Sequence, residues 1–504
     1  GLGEGRRTWG STIGAIFMPS TLTRRGGKRR PSRTMGRSIA PLTAFAKGLP
    51  VFTIRPVPKR YAWGSGERLQ SMFHLTGEQW RSPLAEMWFS GHPQSPSLIE
   101  QPGGAPVALT DVIAAHPEYM VGSRGSSEFG PVLPFLFKVI SARVPLSLQV
   151  HPVDFQARAG FNMENREAIA LDAPERSFRD MNAKSEMVVA LEPFHASVGF
   201  APKSFALHNL SLLESPVAQM MVRAFSRSVG AGEFAPADAR MPIAASVWPE
   251  SRRRMFRAFH AAITAPPLDA QELERDLLQA RARCTAERNR MAFDHAVRAT
   301  RAFAGDPSVL ALLMMNPVRL EEGESVFLPT GCPHAYIYGT GAEIMTNSDN
   351  VLRAGMTVKH KDIDNLLQCL DCRTSSPVDP SDARLGTLLM RDVVFYKPPV
   401  NEFMLCYGHV DAAHEPWPVM NRLAVCYDAL VQQMGGKAVV PHLGPRIVLC
   451  TRGAVRCVTD HDERVLRQGE AVFVPAADGW ARIDPVVTGE AAPRGQYLMA
   501  STPF

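Results

Sequence analysis

Two distant segments of this chain carry residue types and spacings suited to building one metal site: Leu146-Ser147-Leu148-Gln149-Val150-His151-Pro152 and Pro329-Thr330-Gly331-Cys332-Pro333-His334-Ala335-Tyr336. The first alternates strictly, so on a β-strand Leu146, Leu148 and Val150 face one way and Ser147, Gln149 and His151 the other. A third run, Lys184 to Leu191, is strand-like and puts Lys184 and Glu186 on one side. Together Gln149, His151, Glu186 and His334 offer two nitrogens and two oxygens, a borderline donor set that suits zinc and also Mn, Co or Fe(II). Only one donor is charged, which leaves a divalent ion with a net charge of about +1, electrophilic toward a bound oxygen.

Each piece has a plainer reading when taken singly. A lone histidine at a strand end is more often a satisfied structural residue than a ligand, and Glu186 ahead of an apolar run is also what an edge carboxylate looks like. The Gln-x-His pair on the polar side of an otherwise apolar strand, and a histidine delivered by a Gly-Pro turn, favour the site.

Further motifs occur in order along the chain: Tyr61-Ala62-Trp63-Gly64, Ala85-Glu86-Met87-Trp88-Phe89-Ser90-Gly91-His92-Pro93, Leu133-Pro134-Phe135-Leu136-Phe137-Lys138-Val139, Ser147 to Pro152, Pro333 to Tyr336, and Asn350 to Lys359. From about Val51 to Leu367 the chain resembles the type I phosphomannose isomerases. The resemblance implies a cupin-type, zinc-dependent enzyme with one zinc per chain, interconverting mannose 6-phosphate and fructose 6-phosphate and feeding GDP-mannose synthesis or glycolysis. It maps the zinc ligands onto Gln149, His151, Glu186 and His334 and the active-site arginine onto Arg353. It places Ser147, Lys184, Glu343, Tyr336 and Lys359 along the substrate cleft. One stretch departs from the family pattern: Ser177-Phe178-Arg179-Asp180-Met181-Asn182-Ala183-Lys184-Ser185-Glu186 keeps the aromatic, Asp, Asn, Lys and Glu but has Ala183 and Ser185 where the family has His and Pro. Ala183 has no side-chain hydrogen bond to give a ligand, and Ser185 leaves a backbone that proline would stiffen.

Moving a carbonyl between C1 and C2 requires taking a proton from one carbon and returning it to the next, through an enediol whose oxygens carry developing charge. A metal ion and the permanently charged guanidinium of Arg353 suit that charge, and one such stabiliser is worth about 2.7–4 kcal/mol of barrier. Glu343 is the leading proton carrier, with Lys184, a bound water and a histidine as competitors. Ser147, Lys184 and Lys359 are the expected phosphate donors; the plain alternative for Lys359 is a solvated residue in Lys359-His360-Lys361.

The elements that must position these groups show an internal repeat. Leu320-Glu321-Glu322-Gly323-Glu324-Ser325-Val326-Phe327-Leu328-Pro329 is matched by Leu466-Arg467-Gln468-Gly469-Glu470-Ala471-Val472-Phe473-Val474-Pro475, with the Leu, Gly, Glu, Val, Phe and Pro identical. Each copy reads as a glycine turn and an apolar strand ending at proline. The second copy leads to no histidine. The expectation is a mainly β chain with tandem cupin-like (jelly-roll) barrels and an α-helical domain. Residues 1–48 form a basic, disordered tail; 49–200 and 319–384 build the catalytic barrel; 201–318 is a helix-rich insertion; and 385–504 is a C-terminal barrel without a metal site. In the insertion, Asp269 with Glu272 reads as a helix cap, and the run to Phe303 has helical periodicity.

At 504 residues with 41 prolines and 38 glycines, several domains of short strands and turns are expected. Residues 1–48 hold ten Lys or Arg and one acid, a net of +9 against +6 for the whole chain, so the remainder carries about −3. No nucleic-acid surface is expected from that body. Arg24 to Arg30 reads as a solvated tail, while Arg6-Arg7 and the interrupted apolar stretch after it resemble a targeting segment or an overextended start, with Met18 or Met35 as the first residue. No run approaches the roughly 20 apolar residues of a membrane span. The eight scattered cysteines suggest reduced thiols. The expected protein is a cytoplasmic monomer acting on a small sugar phosphate. Two competing classes are an Fe(II) cupin dioxygenase, which would more naturally carry a further carboxylate or histidine than Gln149, and a non-catalytic sugar-binding cupin, against which Glu343, Lys184 and Arg353 argue.

Overall fold

The computed structural model describes residues 51–226, 230, 232–375, 387–390, 392–433, 441–487 and 494–504; the basic segment 1–48 lies outside them. The described residues form two antiparallel sheets, of ten and eleven strands, with a helical layer. The strand pairing is that of sheets; barrel closure is not part of it.

The ten-stranded sheet is organised around the 13-residue strand His334–Thr346, which pairs with Phe135–Ala142, Leu148–Val150, Glu186–Ala190 and Phe194–Phe200. Changing partners along one strand needs a local break in register, and one falls between Tyr336 and Tyr338. Gly339 follows it at φ 122°, with a built Cβ only 2.6 Å from the Pro193 carbonyl oxygen, so any other residue would clash there.

From Leu148 on, the alternation in the first candidate segment does what its pattern predicts, whereas Leu146 precedes the strand, lines the cleft and packs against a different apolar cluster. Leu148 and Val150 are fully buried and join a large apolar cluster with Leu277, Phe293, Leu310 and Leu352, so the helical layer backs this strand. Each such side chain contributes about 1.5–3 kcal/mol by leaving water. That anchors the strand with Gln149 and His151 turned the other way.

In the helical insertion, Asp269 accepts from the Glu272 backbone N–H at 2.8 Å, the cap expected from sequence. The helical run does not continue unbroken to Phe303: it divides into Ala270–Arg283 and Glu287–Ala302, which pack together. Folding back lets Leu273 and Leu277 share a core with Phe293 and Ala296, where one straight helix would leave one apolar stripe uncovered.

The eleven-stranded sheet draws strands from both ends of the chain. Phe52–Arg55 pairs with Ala471–Val474, and Leu98–Ile99 and Val107–Ala108 extend the same sheet. The segment 49–200 therefore does not serve one sheet alone, because the alternating pattern of a short strand does not name its partner.

The repeat is structural. Gly323 and Gly469 both adopt φ 85°. Leu328 sits opposite Glu186, and its counterpart Val474 sits opposite Arg446. Five residues beyond each terminal proline stand His334 and Trp480. Arg446 thus holds the place of Glu186, while the register gives the place of His334, opposite Val198, to Ala481, opposite Thr459; Trp480 beside it is half-exposed. Arg446 is wholly buried and donates to the carbonyl oxygens of Gly479 and, at 2.7 Å, Pro475; burial pulls its pKa down to about 10.

Candidate functional site

Strand register assembles the site. His334 lies opposite Gln149, Gln149 opposite Arg353, and Glu186 opposite Met345 on the long strand, while Glu343 faces Lys138. Five strands, spread over the chain from Lys138 to Arg353, are thereby brought to one place.

His151, Glu186 and His334 are all buried, and one ligand atom from each lies within 4.8 Å of the others. His151 Nε2 is 3.2 Å from Glu186 Oε1, and His334 Nε2 is 3.4 Å from Glu186 Oε2. The other ring nitrogens face backbone carbonyls: His151 Nδ1 lies 2.8 Å from the Asn350 oxygen and His334 Nδ1 3.0 Å from that of Cys332. A carbonyl only accepts, so each Nδ1 carries the proton and each Nε2 presents its lone pair to the cup. His151 Nε2 and Glu186 Oε2 are buried without a hydrogen-bond partner. Orphaned acceptors of this kind, converging from two imidazoles and a carboxylate, fit a divalent cation. Burial holds the His151 pKa down to about 4. Burial acts to raise Glu186, but His151 and Lys184 outweigh it and keep that carboxyl well below the usual range.

Gln149 joins the cup with its amide nitrogen toward His334, at 3.1 Å, and its oxygen accepting from Ser147 Oγ at 3.2 Å. A half-turn of the amide would present the oxygen as a fourth donor.

The cup opens on a cleft of about 1040 Å³ lined by Ser147, Gln149, Lys184, Glu186, Tyr336, Glu343, Arg353 and Lys359. Every site residue expected from sequence is therefore in the cup or on the cleft. Lys184 Nζ is 3.3 Å from Glu186 Oε1. Arg353 is partly buried, which lowers its pKa without threatening its charge. Lys359 stands exposed at the mouth, 5.1 Å from the centre of the Tyr61 ring; its burial on the cleft side and the neighbouring Arg353 lower its pKa.

The sequence reading did not single out the cation beneath Glu343. Lys138 Nζ lies 2.6 Å from Glu343 Oε2 and 3.3 Å from Glu86 Oε1, and Tyr336 OH donates to Glu343 Oε1 at 2.6 Å. Burial raises the Glu343 pKa, with Lys138 opposing and Glu186 adding to the rise. Burial acts to lower that of Lys138, but Glu343 and Glu86 outweigh it and the net shift is upward, so this lysine stays charged. Its position inside the quoted motif around Phe135 was the available signal. Asn350 was also missed, although it closes the same loop that His151 leans on.

Among the described residues, His151, Glu186 and His334 are the one group of three or more His, Cys, Asp or Glu close enough to share an ion, so Cys369 and Cys372 form no second centre. No helix among the described residues is long and apolar enough to cross a membrane.

Comparison with known proteins agrees with this geometry. Residues 51–203 match the model of the phosphomannose isomerase type I catalytic domain. The mannose-6-phosphate isomerase of Salmonella typhimurium is 31% identical over 420 residues, covering 83% of this chain and 93% of that protein. The one from Rattus norvegicus is 27% identical over 431 residues, covering 83% and 95%. A crystal structure of a mutant phosphomannose isomerase from Salmonella typhimurium superposes with a TM-score of 0.69 at 25% identity, covering 90% of this chain and all of that one. A mannose 6-phosphate isomerase bound with zinc and yttrium matches with a TM-score of 0.66 at 25% identity, covering 90% and 99%. The shared length, the ordered motifs and the two-histidine, one-carboxylate cup place this chain in the type I phosphomannose isomerase family.

Proposed function

We propose that this chain interconverts mannose 6-phosphate and fructose 6-phosphate with one zinc ion held by His151, Glu186, His334 and the turned amide of Gln149. The observation that carries this reading is the meeting, in one cleft, of a three-residue metal cup with Glu343, Arg353, Lys184 and Lys359. Zinc, when bound, supplies Lewis-acid polarisation of a substrate oxygen.

The remaining chemistry belongs to the side chains. Both oxygens of Glu343 are engaged, one by Tyr336 and one by Lys138. Proton transfer between C2 and C1 is therefore the work of this set, with Glu343 taking the proton from one carbon and returning it to the next. Lys138 stabilises the carboxylate form and Tyr336 holds the carboxyl in place. Arg353 meets negative charge developing on the enediol oxygens, and Lys184 stands beside the cup. Ser147 and Lys359 bind the phosphate end, Lys359 as a point charge at the mouth.

We further propose the cupin-type arrangement for both sheets, with 49–200 and 319–384 as the catalytic part, 201–318 as the helical insertion and 385–504 as the second copy, completed by the short strands 52–55, 98–99 and 107–108. The working protein is taken to be a cytoplasmic monomer whose partner is the sugar phosphate and not a nucleic acid or membrane. The relatives carry isomerase names, which leaves the dioxygenase and the non-catalytic readings without support. A coupled assay for fructose 6-phosphate, with chelator and zinc add-back, tests the proposal: activity should vanish and return, and oxygen uptake or a lack of turnover would overturn it.

A further inference from the structure

The loop that brings Arg179 and Lys184 to the cleft has no regular secondary structure from Ser177 to Ser185, yet both cations line the cleft. One buried side chain ties down its middle, from Arg179 to Asn182. Asn350, fully buried, accepts through Oδ1 from the backbone N–H groups of Arg179 at 2.7 Å and Asp180 at 3.2 Å. Through Nδ2 it donates to the Asp180 carbonyl at 3.0 Å, the Asp180 carboxylate at 3.1 Å and the Asn182 carbonyl at 3.0 Å. The same residue's carbonyl oxygen receives the His151 Nδ1 proton at 2.8 Å. The amide group uses both of its functions, donor and acceptor, against one turn of backbone, so no other side chain of this size could replace it.

The network extends one step further. Ser348 Oγ donates to the Asp180 carboxylate at 2.8 Å, and the Asp349 N–H donates to it at 2.8 Å. Asp180 is thus the counter-anchor for the segment that carries Asn350. At the far end of the loop, Ala183 and Ser185 are held only through the backbone, Ala183 N–H to Asp154 Oδ1 at 2.9 Å and the Thr346 N–H to the Ser185 carbonyl at 3.0 Å. The start of the loop is held by the Glu164 carboxylate, which accepts from the Ser177 and Phe178 N–H groups at 2.8 Å each; with alanine and serine at 183 and 185, the Arg179–Asn182 turn depends on the Asn350 and Asp180 pair.

We propose that Asn350 is a positioning residue that sets two walls of the cleft at once, fixing the Arg179–Asn182 turn with its side chain and the His151 ring with its carbonyl. The carbonyl contact survives any side-chain change, so the two duties separate on substitution. Asn350→Ala should leave the metal in place and free the turn, loosening the cleft wall that carries Arg179 and weakening the grip on the substrate. Asn350→Asp keeps the two acceptor bonds, loses three donor bonds and sets a carboxylate against Asp180. It should be at least as damaging.

The consequence for substrate binding rests on the isomerase reading; the consequence for the loop does not. The test therefore uses the full-length, zinc-loaded protein with two readouts. Hydrogen exchange across residues 177–185 should quicken in Asn350→Ala, with zinc content by plasma mass spectrometry unchanged, and KM for mannose 6-phosphate should rise about tenfold, more than kcat falls. Ser348→Ala, a smaller cut in the same network, should shift exchange in the same direction by less, and serves if the alanine at 350 does not fold. Unchanged exchange in this loop, or a fall in melting temperature with KM unmoved, would overturn the proposal. An inactive wild-type protein would sink the isomerase reading while the exchange data still decide the role of Asn350.

Discussion

Lys138 and Glu343 face each other across neighbouring strands with Nζ 2.6 Å from Oε2, a buried ion pair on the wall of the cleft. Such a pair brings little net stability, because removing two charges from water costs nearly what their attraction returns. Its place on the cleft argues for chemistry. Glu343→Gln should lower kcat by about 10²–10⁴-fold, the usual contribution of a positioned proton carrier. Zinc content should not change, and steady-state assays beside metal analysis check both.

Glu186 is the charged member of the cup and touches both histidines. Replacing it with glutamine removes the only negative ligand, and zinc affinity should fall by more than the roughly 10–100-fold typical of losing a supporting partner. Competition with a chromophoric chelator measures this without reference to turnover.

Arg353, opposite Gln149 and half-buried in the cleft, should show a transition-state signature. Arg353→Ala is expected to cost about 2.7–4 kcal/mol in kcat/KM, mostly in kcat. Arg353→Lys should recover only part of it, since an ammonium does not reproduce the planar fork. Kinetics of the two variants at saturating zinc decide the matter.

Away from the cleft, His295 ties a helix to the sheet, its two ring nitrogens 3.1 Å from Ser197 Oγ and 3.3 Å from His195 Nδ1. Burial holds the pKa of His295 down to about 3 and that of His195 to about 4. Both are neutral when folded and take up protons when unfolded, so the unfolded chain binds more protons below about pH 6.5. Their contribution is complete above that pH and is lost as pH falls toward about 3. Denaturant midpoints should therefore drop across this window, and His295→Gln should flatten the slope while lowering stability near neutrality.

The metal cup was legible because its strands advertise themselves. Leu148 and Val150 bury against helices while Gln149 and His151 turn away, and a period of two makes that visible. Lys138 was not legible as a site residue because every residue of Phe135–Ala142 is buried, on both faces, so no polar side stands out. Asn350 carried no pattern: its role lies in partners some 170 positions upstream. The pairing of Phe52–Arg55 with Ala471–Val474 escaped for the same reason. The break between Arg283 and Glu287 escaped because neither Gly nor Pro marks it; the need to cover two apolar faces decides it.

Where the first copy of the repeated turn and strand faces the Glu186 carboxylate, the second faces Arg446. The positive charge at that spot comes tethered to the polypeptide, so it is neither scavenged from the medium nor stripped from it. Dialysis against a strong sequestrant would accordingly discharge one half of the molecule and leave its twin unchanged, giving a protein that loses its chemistry well before it loses its shape.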